Sequence, residues 1–204
     1  MKFIYSPGAC SLGIHVILEE IGKPFEAMRV STRDGSMHKP EFQAINPKSK
    51  VPALIRDDGA LLTEFQAIAF WLARSNPEAK LIPEDVEGQT RALEALDYIC
   101  GTIHPQAFTR QFRPGNFAKD SEDEPRVVAQ GKAMASKYLG VLEANWKGDT
   151  WVLPTGYSVA DGALFFIDQW CIRAGVPQPP RIAAHHQAML ARPAVQRALA
   201  RESA

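Results

Sequence analysis

Apolar residues first gather at Phe3-Ile4-Tyr5, a run too short for a helix and closed by the Pro7-Gly8 turn, so residues 2–5 are expected to form a buried strand. Helical spacing follows: Leu12, Ile14, Val16, Ile17, Leu18 and Ile21 recur until Gly22 and Pro24 stop the pattern. Phe25–Val30 reads as a second short strand, and strand-helix-strand in this order predicts a right-handed crossover between parallel neighbours. After the polar loop Ser31–Lys39, Val51–Ile55 and Leu61-Leu62 flank the turn residues Asp57-Asp58-Gly59 and predict a hairpin. Thr63 or Glu64 then opens a helix with Ala67, Ile68, Trp71 and Leu72 on its apolar face. Through residue 75 the order is therefore β-α-β, then β-β-α.

From Asn76 to Gly88 the chain turns Pro-, Glu- and Asp-rich, and Pro77 and Pro83 remove backbone donors, which reads as a linker. This divides the chain into a first domain at 1–78, a linker at 79–87 and a helical domain at 88–204. Leu93, Leu96, Ile99 and Ile103 form one helical face; Val127, Val128, Met134, Tyr138, Leu139 and Leu142 form another. Ser158-Val159-Ala160-Asp161 reads as a capping box, with Ser158 bonding the Asp161 backbone and the Asp161 carboxylate reaching back. Ala163 to Ile172 is apolar nearly all round, the pattern of a helix at the centre of a bundle. Pro177–Pro180 predicts a turn, and two short helices finish the chain, the second starting at Pro193.

Composition narrows the function classes. The 204 residues carry 23 basic and 23 acidic side chains, 10 against 9 through residue 80 and 13 against 14 beyond it, so neither part has the basic excess that a nucleic-acid backbone requires. The longest apolar stretch, Ala67 to Ala73, is far short of the roughly 20 residues of a membrane-spanning helix. The N-terminus runs straight into a strand with no leader pattern, and a cytoplasmic protein is expected. Cys10, Cys100 and Cys171 are odd in number, widely spaced and lack a Cys-x-x-Cys pair, which argues for reduced thiols and against a disulfide framework or a metal site.

Cys10 stands where the first strand has turned at Pro7-Gly8 and the first helix begins. Unpaired N–H groups and the macrodipole favour an anion there, so its thiol should ionise more readily than a free cysteine, or else Cys10 is a small buried hydrophobe. Ser11 adds a hydroxyl donor beside it. A cis Val51–Pro52 bond would turn the Val51 backbone outward to pair with an extended peptide ligand; a trans bond would leave an ordinary strand edge. At the helix start Thr63-Glu64-Phe65, free N–H groups suit a carboxylate and Glu64 suits an ammonium, although Glu64 also fits as a simple dipole partner. His185 and His186 are adjacent, cannot share a helix face, and are expected at the surface. Tyr5 is expected to be structural.

Together these segments resemble the cytosolic glutathione transferases, and among them the bacterial beta class. The resemblance rests on Tyr5–Ser11, on Asn46-Pro47 followed by Lys50–Leu54, on Leu62-Thr63-Glu64, on His104 with Phe112-Arg113-Pro114, and on Ser158–Asp161. It implies a thioredoxin-like α+β domain that binds glutathione, followed by an all-helical bundle that shapes an electrophile pocket, in a homodimer. Glutathione is then the co-substrate, and neither metal, membrane nor nucleic acid is implied. Carried over by position, Cys10, Ser11 and His104 stand at the glutathione sulfur, and Val51 before a cis Pro52 bonds the cysteinyl backbone. Glu64 and the Phe65 N–H hold the γ-glutamyl end, with Asp97 near its ammonium, and His38 and Lys39 lie near the glycine carboxylate. Phe108, Phe112 and Phe117 are the aromatic candidates for the electrophile pocket.

Three residues depart from that pattern. Phe65 stands where the family carries serine or glycine, so a hydroxyl contact is lost. Pro105 follows His104 where beta-class relatives carry lysine, which removes a cation and pushes His104 away from helical geometry. Gly162 replaces an apolar staple residue after Asp161. The activity implied is conjugation of the glutathione thiol to small hydrophobic electrophiles. The alternatives are a monothiol disulfide reductase or peroxidase using Cys10, and a non-catalytic binding module.

Overall fold

The computed structural model describes residues 1–203. Four strands, β1 (Lys2–Tyr5), β2 (Glu26–Arg29), β3 (Ala53–Ile55) and β4 (Leu61–Thr63), form one mixed sheet in the order β2-β1-β3-β4. The pairing of β1 with β2 is parallel, as the crossover helix α1 (Ser11–Ile21) requires, and the β1–β3 and β3–β4 pairs are antiparallel. Alternation along the strands splits the core into two layers. Phe3, Tyr5 and Leu54 face α1 and α3 (Phe65–Ser75), whereas Ile4 and Ala53 face Phe42 of the short helix α2 (Pro40–Gln43). The Tyr5 ring is buried against Phe3 and His15, in keeping with a structural role.

Helices make up the rest. Helix α4 (Val86–Asp97) is capped by the Asp85 carboxylate, which accepts from the Gly88 N–H at 2.8 Å. It runs on as a π-helix over Tyr98–Phe108 and then as α5 (Thr109–Phe112). Pro105 therefore lies inside a helix instead of ending one, because the wide π turn accommodates a residue that has no N–H and pushes on the preceding turn. Leu96, Ile99 and Ile103 are fully buried on this element, but Leu93 is 39% exposed and lies off the predicted face. Helices α6 (Glu124–Ala144), α7 (Val159–Ala174), α8 (Pro180–Leu190) and α9 (Pro193–Ser203) complete the fold.

Helix α7 is buried on all sides from Val159 to Asp168, the central helix its composition predicts. Its capping box forms: Ser158 Oγ accepts from the Ala160 N–H at 3.2 Å, and the Asp161 carboxylate accepts from the Ser158 N–H at 2.7 Å and the Val152 N–H at 2.8 Å. Gly162 has a packing reason. A Cβ built on Gly13 of α1 would stand 2.4 Å from the Gly162 carbonyl and 2.8 Å from the Phe65 ring, so α1 and α7 touch through their backbones. Helix α9 returns to α1, where Arg192 forks onto Glu20 at 2.6 and 3.0 Å and Arg197 meets Glu19 at 2.7 Å.

His185 and His186 are buried, contrary to the expectation that they lie at the surface. They do point apart, but α8 is covered on both of the faces they use. His186 contacts Gln169 at 3.0 Å and stacks on Phe165. His185 Nδ1 lies 2.9 Å from Asp168, and its Nε2 lies 3.2 Å from Asp161, close enough to pair though poorly aligned as a hydrogen bond. Burial opposes a charge on His185, but the two carboxylates outweigh it and raise the imidazole from 6.5 to about 9. Burial also pushes Asp168 up, to about 6, against the pull of His185.

Two predictions follow from this packing. Gly13→Ala should destabilise the fold by about 1–3 kcal/mol in urea unfolding, whereas Gly140→Ala, in α6 with nothing within 4 Å of the new methyl, should stabilise it by up to about 1 kcal/mol. The native state holds an extra proton on His185 between pH 6.5 and about 9, so its contribution is complete below pH 6.5 and lost through about pH 9. Unfolding free energy should therefore fall over that interval, and His185→Gln should flatten the slope.

Candidate functional site

The loop before α1 is held from the helical half. Gly8 adopts φ +67, its N–H donates to the Glu202 carboxylate of α9 at 2.9 Å, and its carbonyl accepts from Trp170 Nε1 of α7 at 2.8 Å. Glu202 also meets buried His15 at 3.2 Å. Cys10 follows as the residue capping α1, and its sulfur donates to the Val51 carbonyl at 3.5 Å.

The thiol is not acidified. Burial pushes Cys10 up to about 12, and the opposing pull of the Cys10 and Ser11 N–H groups and of Lys50 is too small to offset it. The helix terminus acts in the predicted direction, but desolvation wins. Ser11 differs as well: its buried hydroxyl donates to the Ser6 carbonyl at 3.1 Å and accepts from the Ser6 N–H at 3.2 Å, so it closes the turn and has no free proton to donate to a ligand.

The Val51–Pro52 bond is cis. Buried Asn46 shapes its approach, donating to the Lys50 carbonyl at 2.8 Å and accepting from the Lys48 N–H at 3.1 Å. Glu64, at φ +69, precedes Phe65, the first residue of α3, whose initial N–H groups have no partner within the helix. The Glu64 carboxylate pairs with Lys48 at 2.7 Å in an exposed contact that a ligand ammonium can replace at little cost. The Phe65 ring turns inward onto Phe166, leaving only its backbone at the surface. Asp97 lies on the same side, accepting from Gln66 at 3.3 Å. His38 is exposed at the end of a single turn whose Met37 is buried, and Lys39 lines a cleft of about 480 Å³ with Arg29, Ser31 and Phe42; Cys10, Val51 and Glu64 are not among its lining residues.

From the helical half, His104 packs edge-on against Trp170 at 4.8 Å and Phe166 at 5.6 Å. Burial, helped by the charge of Lys50, pushes its imidazole down to about 4, so it is neutral at physiological pH. Phe112 is half-buried beside Trp170. Phe108 is completely buried beneath it and offers no surface to a ligand, which removes it from the predicted electrophile pocket. Phe117 is 41% exposed under the Arg110 guanidinium.

Four residues near the site escaped the sequence reading. Trp170 and Phe166 read there as core, Lys50 as loop, and Glu202 lies 192 positions from Cys10 with no local signal. Only Lys50 had one: it is a cation directly before Val51-Pro52.

This arrangement, an extended-backbone cradle at a cis proline beside a helix N-terminus and a thiol, is that of a thioredoxin-like fold adapted to a thiol peptide. Residues 8–75 match the model of the glutathione S-transferase N-terminal domain. The chain is 36% identical to glutathione S-transferase GstA of Escherichia coli O157:H7 over 99% of its length and 98% of that protein. It superposes on a Sulfitobacter glutathione transferase homologue with bound glutathione at TM-score 0.92, with 29% identity and coverage of 98% and 97% of the two chains. The beta class enzyme of Sphingomonas chungbukensis gives 0.85, with 32% identity and coverage of 99% and 98%. The chain belongs to the glutathione S-transferase family.

Alkylation tests the state of the thiol. In a Cys100→Ser, Cys171→Ala background, the rate of Cys10 modification by iodoacetamide should rise with pH without an inflection below about pH 10. An inflection near neutrality would show an acidified thiol.

Proposed function

We propose that the protein joins the sulfur of glutathione to small hydrophobic electrophiles, acting as a homodimer in the cytoplasm. Residues 1–78 hold glutathione and residues 88–204 present the electrophile. Val51 pairs with the cysteinyl backbone, Glu64 and the Phe65 N–H hold the γ-glutamyl end with Asp97 alongside, and His38 and Lys39 approach the glycine carboxylate. The glutathione thiol gives up its proton, its sulfur attacks the electrophilic carbon, and the leaving group departs with the electron pair. Lowering that thiol by about two pKa units corresponds to roughly 2.7 kcal/mol, within reach of a helix N-terminus plus one or two charge-assisted hydrogen bonds. Proximity supplies the rest.

One observation favours this over covalent use of Cys10. The Cys10 thiol is pushed up to about 12 and its one proton is engaged with the Val51 carbonyl, so at neutral pH it is a poor nucleophile. The sulfur that ionises is then the ligand's. Three free thiols accord with a reducing compartment.

The test compares wild type with Cys10→Ala for glutathione binding and for turnover of 1-chloro-2,4-dinitrobenzene and a mixed disulfide. Aryl-halide turnover should survive in the variant within about tenfold. A loss of about 1,000-fold with glutathione binding intact would make Cys10 the reacting group, and absence of glutathione binding by calorimetry would refute the proposal.

A further inference from the structure

Three exposed arginines lie near one another where the two halves join, and among the described residues none of them has a carboxylate partner. Arg113, just past α5, donates from Nη2 to the Thr32 carbonyl at 2.5 Å, which brings it beside Arg33 in the loop after β2. Arg173, in the last turn of α7, lies with its guanidinium carbon 4.6 Å over the Phe112 ring, one residue before Arg113. From there its Nη1 reaches toward Gly8, to 4.0 Å from where a Cβ on that glycine would stand, two residues before Cys10. Among the described residues, no carboxylate oxygen lies within 4.0 Å of a guanidinium nitrogen of any of the three, which is also true of Arg29, Arg74, Arg110 and Arg181, so what sets these three apart is their nearness to one another. Partial burial and the neighbouring charges of Arg33 and Arg113 both work against the charge on Arg173.

Like charges brought together without counter-ions are unfavourable, and each guanidinium fork matches the two oxygens of a carboxylate. An anion arriving here relieves the repulsion. Two of the three groups belong to the helical half, and Arg173 covers the ring of Phe112, which packs on Trp170 next to His104. Phe112 is only half-buried, and an electrophile lying against its exposed part carries its far end to the arginines.

The geometry points to a carboxylate-bearing electrophile as the substrate class of this site, its apolar part against the exposed part of Phe112 and its carboxylate on Arg113 and Arg173, with Arg33 reinforcing them. This rests on the conjugation reading and names what that site selects. The arginines set specificity; the reaction is unchanged. With 4-chloro-3-nitrobenzoate, the glutathione sulfur forms a bond to the chlorine-bearing carbon, chloride leaves with the bonding pair, and the thiol proton passes to solvent.

Calorimetry on the whole protein reads this without relying on turnover. The probes are the glutathione conjugate of 4-chloro-3-nitrobenzoate and that of the corresponding benzamide, which differ only in the charge of the distal group. Wild type should prefer the carboxylate conjugate, and Arg113→Gln or Arg173→Met should each reduce that preference about tenfold, with the preference also falling as salt is raised. Arg173→Met keeps the contact with Phe112, and thermal melts check that both variants fold. Equal affinity of wild type for the two conjugates, or an unchanged preference in both variants, would overturn the inference while leaving conjugation intact. A third probe, the carboxylate conjugate of γ-glutamylcysteine, removes the glycine carboxylate. If the arginine variants lose their effect with this probe, the cluster holds the end of the tripeptide and the inference is wrong. If neither glutathione conjugate binds wild type, both this inference and the proposed function fail.

Discussion

The contact of α1 with α7 through Gly13 and Gly162 sets the relation between the two halves of the molecule. With a Cβ 2.4 Å from a carbonyl oxygen ruled out at Gly13, the helices sit at backbone distance, closer than any side chain would allow. Each helical glycine costs about 1 kcal/mol relative to alanine, and the dispersion gained along the closely packed helices offsets that cost. The consequences reach the site. Helix α1 carries Cys10 at its start, α7 carries Phe166 and Trp170 on the face toward it, and Phe65 fills the gap beside Gly13 by packing on Phe166. Had Gly162 been the expected apolar residue, its Cβ would meet Ile17 at 3.0 Å and hold the helices apart.

Buried charge locks this arrangement from two further directions. Asp161 caps α7 and faces His185, which also meets Asp168 two turns along the same helix, so one imidazole ties α8 to both carboxylates. At the other end of the chain Glu202 takes the Gly8 N–H and contacts His15, while Trp170 takes the Gly8 carbonyl. Both polar groups of the glycine next to the thiol loop are thus held by the helical half. Gly8 is itself exposed, so each of these bonds contributes about 0.5–1.5 kcal/mol net, and the position of Cys10 depends on residues far away in sequence.

Periodicity carried most of the architecture, because strands and helices bury residues at spacings of 2 and about 3.6 that are visible in one dimension. The mixed sheet, the central α7 and the start of α9 at Pro193 all follow from it. Where the reading failed, the deciding fact was three-dimensional. His185 and His186 were expected outside because adjacent residues point apart, yet a helix covered on two sides buries both. Asp161 and Asp168, seven apart on an apolar helix, were the legible hint that a buried cation was required. Phe108, at the end of the π segment, is buried because the wider turn rotates its face inward, whereas nothing in the structure explains why Leu93, in α4 before that segment, is exposed. The cradle itself, Val51-Pro52 and Glu64-Phe65, was readable as a motif, whereas the state of Cys10 depends on burial that no local pattern records.

Burial also decides how charge is distributed around the sulfur. The same desolvation that raises Cys10 to about 12 lowers His104 to about 4, so both groups are neutral at physiological pH although one was expected as an anion. Lys50 acts on both and has no carboxylate partner among the described residues, while the Glu202 carboxylate opposes it at Cys10. An ionised sulfur brought to this place meets a cation and a helix N-terminus, and faces no competing protein thiolate. In a low-dielectric setting each of these favours the anion more than it would in water. Pro105, which stands where the resemblance predicts a lysine, is absorbed by the π-helix, and Lys50 supplies a positive charge near Cys10 and His104 from the thioredoxin-like half.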